Sequence, residues 1–167
     1  MPLADHAFAN DNQTSNNISI PMPDGHPFSI LGTFTAPNFA ASMCTGGDGN
    51  YYLLDVAPAL YCFNPYSGSC TLIGNITGMG ADGSNSTGIA YNFYTDTYYI
   101  CTCGALYSLD VNTLTATLIG QFTPSITGLM IDLCFDDIGT CFAYEVDITP
   151  GAANGYIIDV NTAAITR

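Results

Sequence analysis

A repeated segment constrains the fold of this chain more than any other feature of its sequence. Hairpin-like segments begin at Leu60, Leu106 and Gly155. They read LYCFNPYSGSCTLIG, LYSLDVNTLTATLIG and GYIIDVNTAAITR. In each copy, one strand enters a turn rich in Asn, Thr, Ser or Gly and a second strand returns. Self-similarity at this spacing indicates one supersecondary unit that is used three times.

A second pair of strands precedes each hairpin. The three upstream segments are SMCTGGDGNYYLLDVA, IAYNFYTDTYYICTCG and DLCFDDIGTCFAYEVD. Aligned without gaps, they place six residues at two shared positions: Cys44, Tyr91 and Cys134 at one, and Tyr51, Tyr98 and Cys141 at the other. Four strands per repeat, joined by tight turns, are typical of the blade of a β-propeller.

The sequence therefore predicts an all-β, propeller-like tandem of three four-stranded antiparallel blades over residues 28–167. The blades are expected at about 33–74, 75–120 and 121–167, and the last is expected to be incomplete because it stops at TAAITR. The segment PFSILGTFT (Pro27–Thr35) matches the strand that ends the other blades, so it is expected to be an orphan outer strand. Since closed propellers use about four to eight blades, three blades predict a piece of a larger ring or copies that complete one another.

The repeat resembles the propeller repeats of large secreted, often bacterial, surface proteins of unassigned function. The resemblance is carried by Leu106–Gly120, Ile126–Asp147 and Ile158–Thr162, and it covers about residues 28–167. It implies secretion and a propeller fold, and it brings no shared catalytic residues with it. The cysteines, the missing lysines and the short length of this chain depart from that pattern.

Residues 1–27 lack the repeat and are expected to form an extended N-terminal arm. The segment NISIPM places Ile18, Ile20 and Met22 on one face of an extended strand. One interpretation is a surface-hugging or disordered tail. The other is a donor strand that adds to the sheet edge of a neighbouring copy.

The charge balance excludes several classes of partner. The chain has fourteen acidic residues, no lysine and one arginine, Arg167, which gives a net charge of −13. Nucleic acid is excluded because its binding depends on Lys and Arg, and so are anionic membrane surfaces. No apolar stretch is long enough to span a membrane. No cofactor is expected. The alternative is calcium at isolated turn acids, which are Asp48, Asp82, Asp136 and Asp137.

Cysteines and glycosylation sequons indicate an extracellular or cell-surface protein. Seven cysteines in a short chain suggest an oxidising compartment. Four sequons predict glycosylation at Asn12, Asn17, Asn75 and Asn85. The polar N-terminus MPLADHAFAN shows no signal peptide, so a mature or trimmed chain is expected.

Two pairs of cysteines flank hairpin turns and are predicted to form disulfides. Cys62 and Cys70 flank FNPYSGS, and Cys134 and Cys141 flank FDDIGT. Cross-strand positions bring Cβ atoms within reach of a disulfide. A third pair is expected among three remaining cysteines, which are Cys44, Cys101 and Cys103.

No pattern of catalytic residues is present, and the chain is expected not to be an enzyme. Glu145 is the only glutamate, and neither an internal basic residue nor a GxSxG motif occurs. The sequence favours an extracellular structural or adhesive protein. It is expected to assemble with copies of itself, for example into a filament, through strand or blade complementation. The alternative is a carbohydrate- or ligand-binding propeller module from a larger surface protein, with glycans as partners.

Overall fold

The computed structural model of the chain describes residues 6–11, 13–22, 27, 29–34, 38–80, 85–147 and 151–167. These residues form fifteen strands in four antiparallel sheets, and they contain no helix long and apolar enough to cross a membrane. The N-terminal blade contains β1 (His6–Asp11), β2 (Asn16–Pro21) and β3 (Ser29–Thr33). The second blade contains β4 (Ala40–Thr45), β5 (Tyr51–Asp55), β6 (Ala59–Phe63) and β7 (Cys70–Asn75). The third contains β8 (Ser86–Asn92), β9 (Thr97–Thr102), β10 (Ala105–Asp110) and β11 (Thr115–Gln121). The fourth contains β12 (Leu129–Phe135), β13 (Cys141–Asp147), β14 (Ala152–Ile158) and β15 (Ile165–Thr166).

The number of blades is four, not the three predicted from the repeat. The segment expected to be an orphan outer strand is β3, and it pairs with β2, which in turn pairs with β1. The expected extended arm is therefore largely a blade. The fourth blade, expected to be incomplete, has all four strands, although β15 is only two residues long.

Strand register shows why the repeat is not recognisable in the sequence of the N-terminal blade. In each of the first three blades, the pairing of the third strand with the outer strand shifts by one residue near the start of the third strand. The last residues before the shift are Asn17, Leu60 and Leu106, and their partners are glycines in all three cases. Asn17 thus occupies the position of a repeat leucine, and this substitution hides the first copy.

The gapless alignment of the upstream hairpins is right at one position and wrong at the other. Tyr51, Tyr98 and Cys141 are equivalent, because they pair with matching residues of the third strand. Cys44 and Cys134 are also equivalent, but the third-blade residue at their position is Ala90, not Tyr91. The turn between β8 and β9 is one residue shorter than the turns at 46–50 and 136–140, so β8 is offset by one.

The core lies between the blades. We call the side of a blade that contacts the next blade along the chain its forward face, and the opposite side its backward face. The forward face of the second blade, with Tyr52 and Leu54, packs on the third blade. The forward face of the third blade, with Tyr99 and Cys101, packs on the fourth. A smaller cluster that includes Leu53 joins the second blade to the N-terminal blade.

Two glycines allow the N-terminal blade to dock closely on the second blade. The turn between β6 and β7 contains Gly68 at φ 68°, a conformation that favours glycine. A Cβ atom on Gly68 would lie 2.4 Å from the backbone nitrogen of Gly32 in β3. Asn17 completes the contact, since its side-chain nitrogen donates to the Gly68 carbonyl at 2.7 Å.

Candidate functional site

The inner strands of three blades bring a serine and an aspartate together near the propeller axis. β4 and β12 both lie against β8. The Ser42 hydroxyl on β4 donates to Asp132 Oδ1 on β12 at 2.9 Å, across 90 positions of sequence. Gly88 of β8 leaves room for this contact, because a Cβ there would lie 2.7 Å from Asp132 Oδ1. Ser42, Gly88 and Asp132 each follow the register shift of their inner strand, so they occupy one repeat position.

Burial changes the acidity of Asp132. The loss of solvent raises the pKa of this carboxyl to about 6, although Leu133 N–H and the Ser42 hydroxyl both donate to Oδ1 and oppose the rise. The described residues include no group of three or more His, Cys, Asp or Glu side chains placed to hold a metal ion. The arrangement supplies a partly buried carboxyl with a pKa of about 6.

The forward face of the fourth blade is uncovered. It carries four side chains from three neighbouring strands: Cys134, Phe142, Tyr144 and Ile157. The exposed fractions of Phe142, Tyr144 and Ile157 are 40%, 45% and 47%. Together with Asp132 and Cys134, the two aromatic side chains line a pocket of 290 Å³. An apolar, solvent-facing surface of this kind is typical of an interaction site.

The backward face of the N-terminal blade is the other open surface. Its residues are Ala7, Ala9, Ile18, Ile20 and Ile30, which share one side of the sheet by register. Ile30 is 63% exposed, and Ile18 and Ile20 are partly buried. The four blades therefore have three blade-to-blade contacts and leave one open face at each end of the series.

The predicted donor strand differs from the observed structure. Ile18 and Ile20 lie in β2, which is paired on one side with β1 and on the other with β3. Met22 follows the end of β2 and is exposed. Because both edges of β2 are already hydrogen-bonded, β2 offers no free edge to a neighbouring copy.

Neither predicted disulfide forms, because each pair is out of register by one residue. The described residues include all seven cysteines and contain no disulfide. Cys62 pairs with Thr71 and Cys70 with Phe63, so the two thiols lie on opposite sides of the sheet. The same offset separates Cys134, which pairs with Phe142, from Cys141, which pairs with Phe135. The third predicted pair, among Cys44, Cys101 and Cys103, stays a prediction.

The predicted glycosylation sites fall in three different environments. Asn75 and Asn85 are exposed, so a glycan at either would extend into solvent. Asn17 is completely buried, and its side-chain nitrogen, the atom that a glycan would modify, donates to Gly68. The folded chain therefore leaves no space for a glycan at Asn17. Asn12 lies outside the described residues.

The turn acids that suggested calcium are used in local hydrogen bonds. Asp48 accepts from the backbone N–H of Asn50 and from the Tyr52 hydroxyl. Asp136 accepts from the backbone of Thr140 and closes its own turn. Asp137 is exposed, and Asp82 lies outside the described residues. The carboxylates of Asp48 and Asp136 thus stabilise turns, as Asp and Asn side chains commonly do.

Sequence reasoning missed Asp132 and the two open faces. The signal for Asp132 was present, since MIDLCF places one acid inside an otherwise apolar inner strand. A charged residue within such an apolar run indicates a special environment. The open faces left no such signal, because their residues are as apolar as those of the covered faces.

Comparisons with known proteins identify the fold. No family model matches the chain, and no curated protein matches it. Solved structures do match: a nidogen/laminin complex at TM-score 0.64 and 13% identity covers 96% of this chain and 60% of the solved chain. A gluconolactonase from Xanthomonas campestris matches at TM-score 0.60 and 10% identity, covering 96% and 57%. An extracellular domain from Bacteroides thetaiotaomicron matches at TM-score 0.58 and 13% identity, covering 99% and 21%.

These likenesses confirm the predicted β-propeller and, at such low identity, show the fold alone. The chain spans 40% to 60% of the length of the first three solved chains that it matches.

Proposed function

We propose that this chain is a non-enzymatic, extracellular structural subunit that assembles with copies of itself. In the assembly, the forward face of the fourth blade of one copy packs on the backward face of the N-terminal blade of the next. The observation that carries the proposal is the pair of open apolar faces at the two ends of an otherwise continuous series of blades.

The packing within the chain defines which surface fits each open face. In all three internal contacts, a forward face meets a backward face. The equivalents of Phe142 in the second and third blades are Tyr52 and Tyr99, and these are only 6% and 7% exposed. A second copy would cover Phe142 in the same way. Each apolar side chain that becomes fully buried contributes about 1.5–3 kcal/mol relative to an exposed one.

A forward-to-backward contact is heterologous, since it joins two different surfaces. Such contacts close into rings or continue as filaments, depending on the rotation between copies. The net charge of −13 opposes association through long-range repulsion. Added salt screens that repulsion, so assembly should strengthen as the salt concentration rises.

Composition and turn chemistry support an extracellular, non-enzymatic role. The absence of lysine and internal arginine leaves no internal site for trypsin-like proteases, which suits a durable extracellular protein. One solved protein of the same fold is an extracellular domain. The acids in the described turns stabilise those turns, and the Ser42–Asp132 pair has no metal-binding cluster around it among the described residues.

Two double variants, which we call capped variants, each have one open face disabled. They test whether the forward face of one copy binds the backward face of the next. Phe142→Asp with Ile157→Asp disables the forward face, and Ile20→Asp with Ile30→Asp disables the backward face. Sedimentation velocity should show concentration-dependent assembly of the wild-type chain and a monomer for each variant alone. An equimolar mixture of the two variants should form a dimer and nothing larger, because each partner retains one working face.

The control introduces the same charges elsewhere. Leu72 and Leu118 are exposed by 55% and 44% on outer strands and lie on neither open face. Leu72→Asp with Leu118→Asp should assemble like the wild type. A wild-type chain that stays monomeric at high concentration and high salt would refute the proposal, and so would a mixture of capped variants that remains monomeric.

A second candidate function, carbohydrate binding, is favoured by one exposed aromatic pair. Phe93 and Tyr94 in the turn after β8 are 66% and 75% exposed. Aromatic faces in such positions can stack on sugar rings. By contrast, the repeated Tyr61 and Tyr107 are buried and serve blade packing. Retention of the monomeric forward-face variant on a glycan array, lost in Tyr94→Ala, would support this function.

A further inference from the structure

Among the described residues, the N-terminal blade has three strands, one fewer than each of the other blades. Its sheet order is β1-β2-β3, whereas each of the others has four strands. β1 corresponds to the second strand of a blade: Asp11 ends β1, accepts from the backbone N–H of the following turn, and corresponds to Asp55 at the end of β5. In the other blades, this second strand pairs with an inner strand. Among the described residues, no strand pairs with the inner edge of β1.

A groove lies beside β1, at the place where the inner strand of a four-stranded blade would pair. It consists of two pockets of 230 Å³ and 190 Å³ that share Phe8 and Met43. One wall is β1 from Ala7 to Asn10, and the other is β4 from Ala40 to Thr45. β4 is the inner strand of the second blade, so the groove follows the path that an inner strand of the N-terminal blade would take.

We propose that this groove binds an extended peptide segment of another polypeptide, which pairs with β1 as the inner strand of the N-terminal blade. The inner edge of β1, with which no strand in the described part of the chain pairs, presents backbone N–H and C=O groups. An exposed edge of this kind is a template for strand addition. A strand rises about 3.3 Å per residue, so the length of β1 accommodates a peptide of about six residues.

The lining of the groove specifies the chemistry of the peptide. Ala9, Ala40, Ala41 and Ser42 are small, and they leave room for backbone and modest side chains. Asp132 also lines the groove, and no Lys or Arg lies among the residues that line it. A segment free of acidic side chains, with a hydroxyl or amine near Asp132, is therefore the matching ligand. The net charge of the chain disfavours acidic peptides further.

A polar contact on β1 points to the same chemistry. The side-chain nitrogen of Asn17 donates to Gly68, which leaves the Asn17 oxygen to accept from the side-chain nitrogen of Asn10 at 3.0 Å. The remaining atom of that amide, Asn10 Oδ1, is buried and has no hydrogen-bond partner among the described residues. Asn10 lines the groove next to Ala9. A buried acceptor without a donor is costly, and a bound peptide with a donor side chain would relieve this cost after a small shift.

An inner strand of another blade of this chain provides a suitable test peptide. The inner strand of the third blade, STGIAYN (residues 86–92), has no acidic residue and no cysteine and begins with two hydroxyl side chains. The capped peptide with this sequence, labelled with a fluorophore, is the probe. The monomeric forward-face variant, Phe142→Asp with Ile157→Asp, is the protein to use, because self-assembly cannot then compete.

Backbone methylation gives the decisive comparison. A strand added to a sheet edge pairs through alternate residues on one of its own edges. Two further peptides carry N-methyl groups on alternate residues, one on each set. Fluorescence anisotropy should show saturable binding of the parent peptide. One methylated peptide should bind at least tenfold more weakly, and the other should bind like the parent. Equal binding of all three peptides, or binding of none, would overturn the proposal.

Hydrogen exchange locates the peptide. Alternate amides between Ala7 and Asn10 should gain protection when the peptide binds. Protection on the fourth blade instead would assign the peptide to a different surface and refute the proposal. Protection of β1 that rises with protein concentration, without peptide, would make a second copy the occupant and would equally refute it.

A filled groove provides a matched variant. Ala41→Phe places a large side chain in the groove, and Ala152→Phe places the same side chain at an exposed residue of β14. Peptide binding should fall at least tenfold in the first variant and remain unchanged in the second. If Ala41→Phe does not fold, the methylated peptides still decide the question.

Discussion

The third and fourth blades have nearly the same strand pattern and differ in what covers them. Tyr99 and Phe142 occupy equivalent positions on β9 and β13, and both are aromatic. Tyr99 is 7% exposed beneath the fourth blade, whereas Phe142 is 40% exposed. An apolar residue on a blade face is thus part of the core only when another blade covers it. The fourth blade is therefore built like an interior blade and presents one of its faces to solvent.

Truncating these two aromatic residues should have the largest and most unequal effects. Tyr99→Ala removes a buried aromatic ring and should lower the free energy of unfolding by about 3 kcal/mol or more. Phe142→Ala should lower it by about 1 kcal/mol in the monomer, because its ring is partly solvated already. Urea denaturation at low protein concentration measures both. Equal losses would show that the fourth blade is covered in solution.

The inner strands of the blades carry different residues, with different charge, at the repeat position that follows their register shift. The second, third and fourth blades have Ser42, Gly88 and Asp132 there. Burial raises the pKa of Asp132 from its usual 3.8 to about 6. The folded state then holds this proton more tightly than the unfolded chain does. Ionisation of Asp132 therefore costs stability, and this cost is absent below pH 3.8 and complete above pH 6.

Asp132→Asn should remove this pH-dependent cost. The stability of the variant relative to the wild type should rise by about 2 kcal/mol between pH 3.5 and pH 7.5. Urea denaturation at both pH values measures the change. Asp159→Asn, at an exposed turn of the same blade, serves as the control. A constant difference between Asp132→Asn and wild type would show that Asp132 is solvated in the native state.

Two acids near blade turns, Asp55 and Asp110, should differ in their contribution to stability, but by less than the pairs above. Asp55 is fully buried, and its carboxylate accepts from the backbone N–H groups of Ala57 and Ala59 at 3.0 and 2.8 Å. Asp110 makes a similar bond to Asn112 at an exposed turn. Asp55→Ala should cost about 1–3 kcal/mol, because it leaves buried donors without partners. Asp110→Ala should cost much less, because the donors that it leaves are at an exposed turn and can bind water. A thermal-unfolding series that ranks the two in the opposite order would contradict this account.

The features of the fold that the sequence predicts are those determined by residues close together in the chain. Turn residues and alternating strands identified every four-stranded blade, and the common position of Tyr51 and Tyr98 followed from them. The N-terminal blade was not predictable from the repeat, because Asn17 takes the place of a leucine and bonds instead to Gly68, far away in sequence. The cysteine pairs failed for a related reason. A register offset of one residue moves a side chain to the other face of a sheet, and turn length alone did not reveal that offset.

The candidate surfaces could be predicted from the sequence less completely than the fold, because they depend on tertiary contacts. Ile18 and Ile20 were correctly placed on one face of a strand, but both edges of that strand are paired within the chain. Asp132 and Ser42 lie 90 positions apart and meet only because their inner strands lie on either side of β8. No short-range pattern contains information about such a contact.

The amino-acid sequence by itself determined the all-β class, the blade as the repeating unit and the acidic, lysine-free surface. These properties depend on side-chain alternation, turn chemistry and charge, which act over a few residues. The number of blades, the two open faces, the groove beside β1 and the partial burial of Asp132 follow only from the tertiary structure. These depend on which surface covers which, and the chain establishes that only when residues distant in sequence pack together.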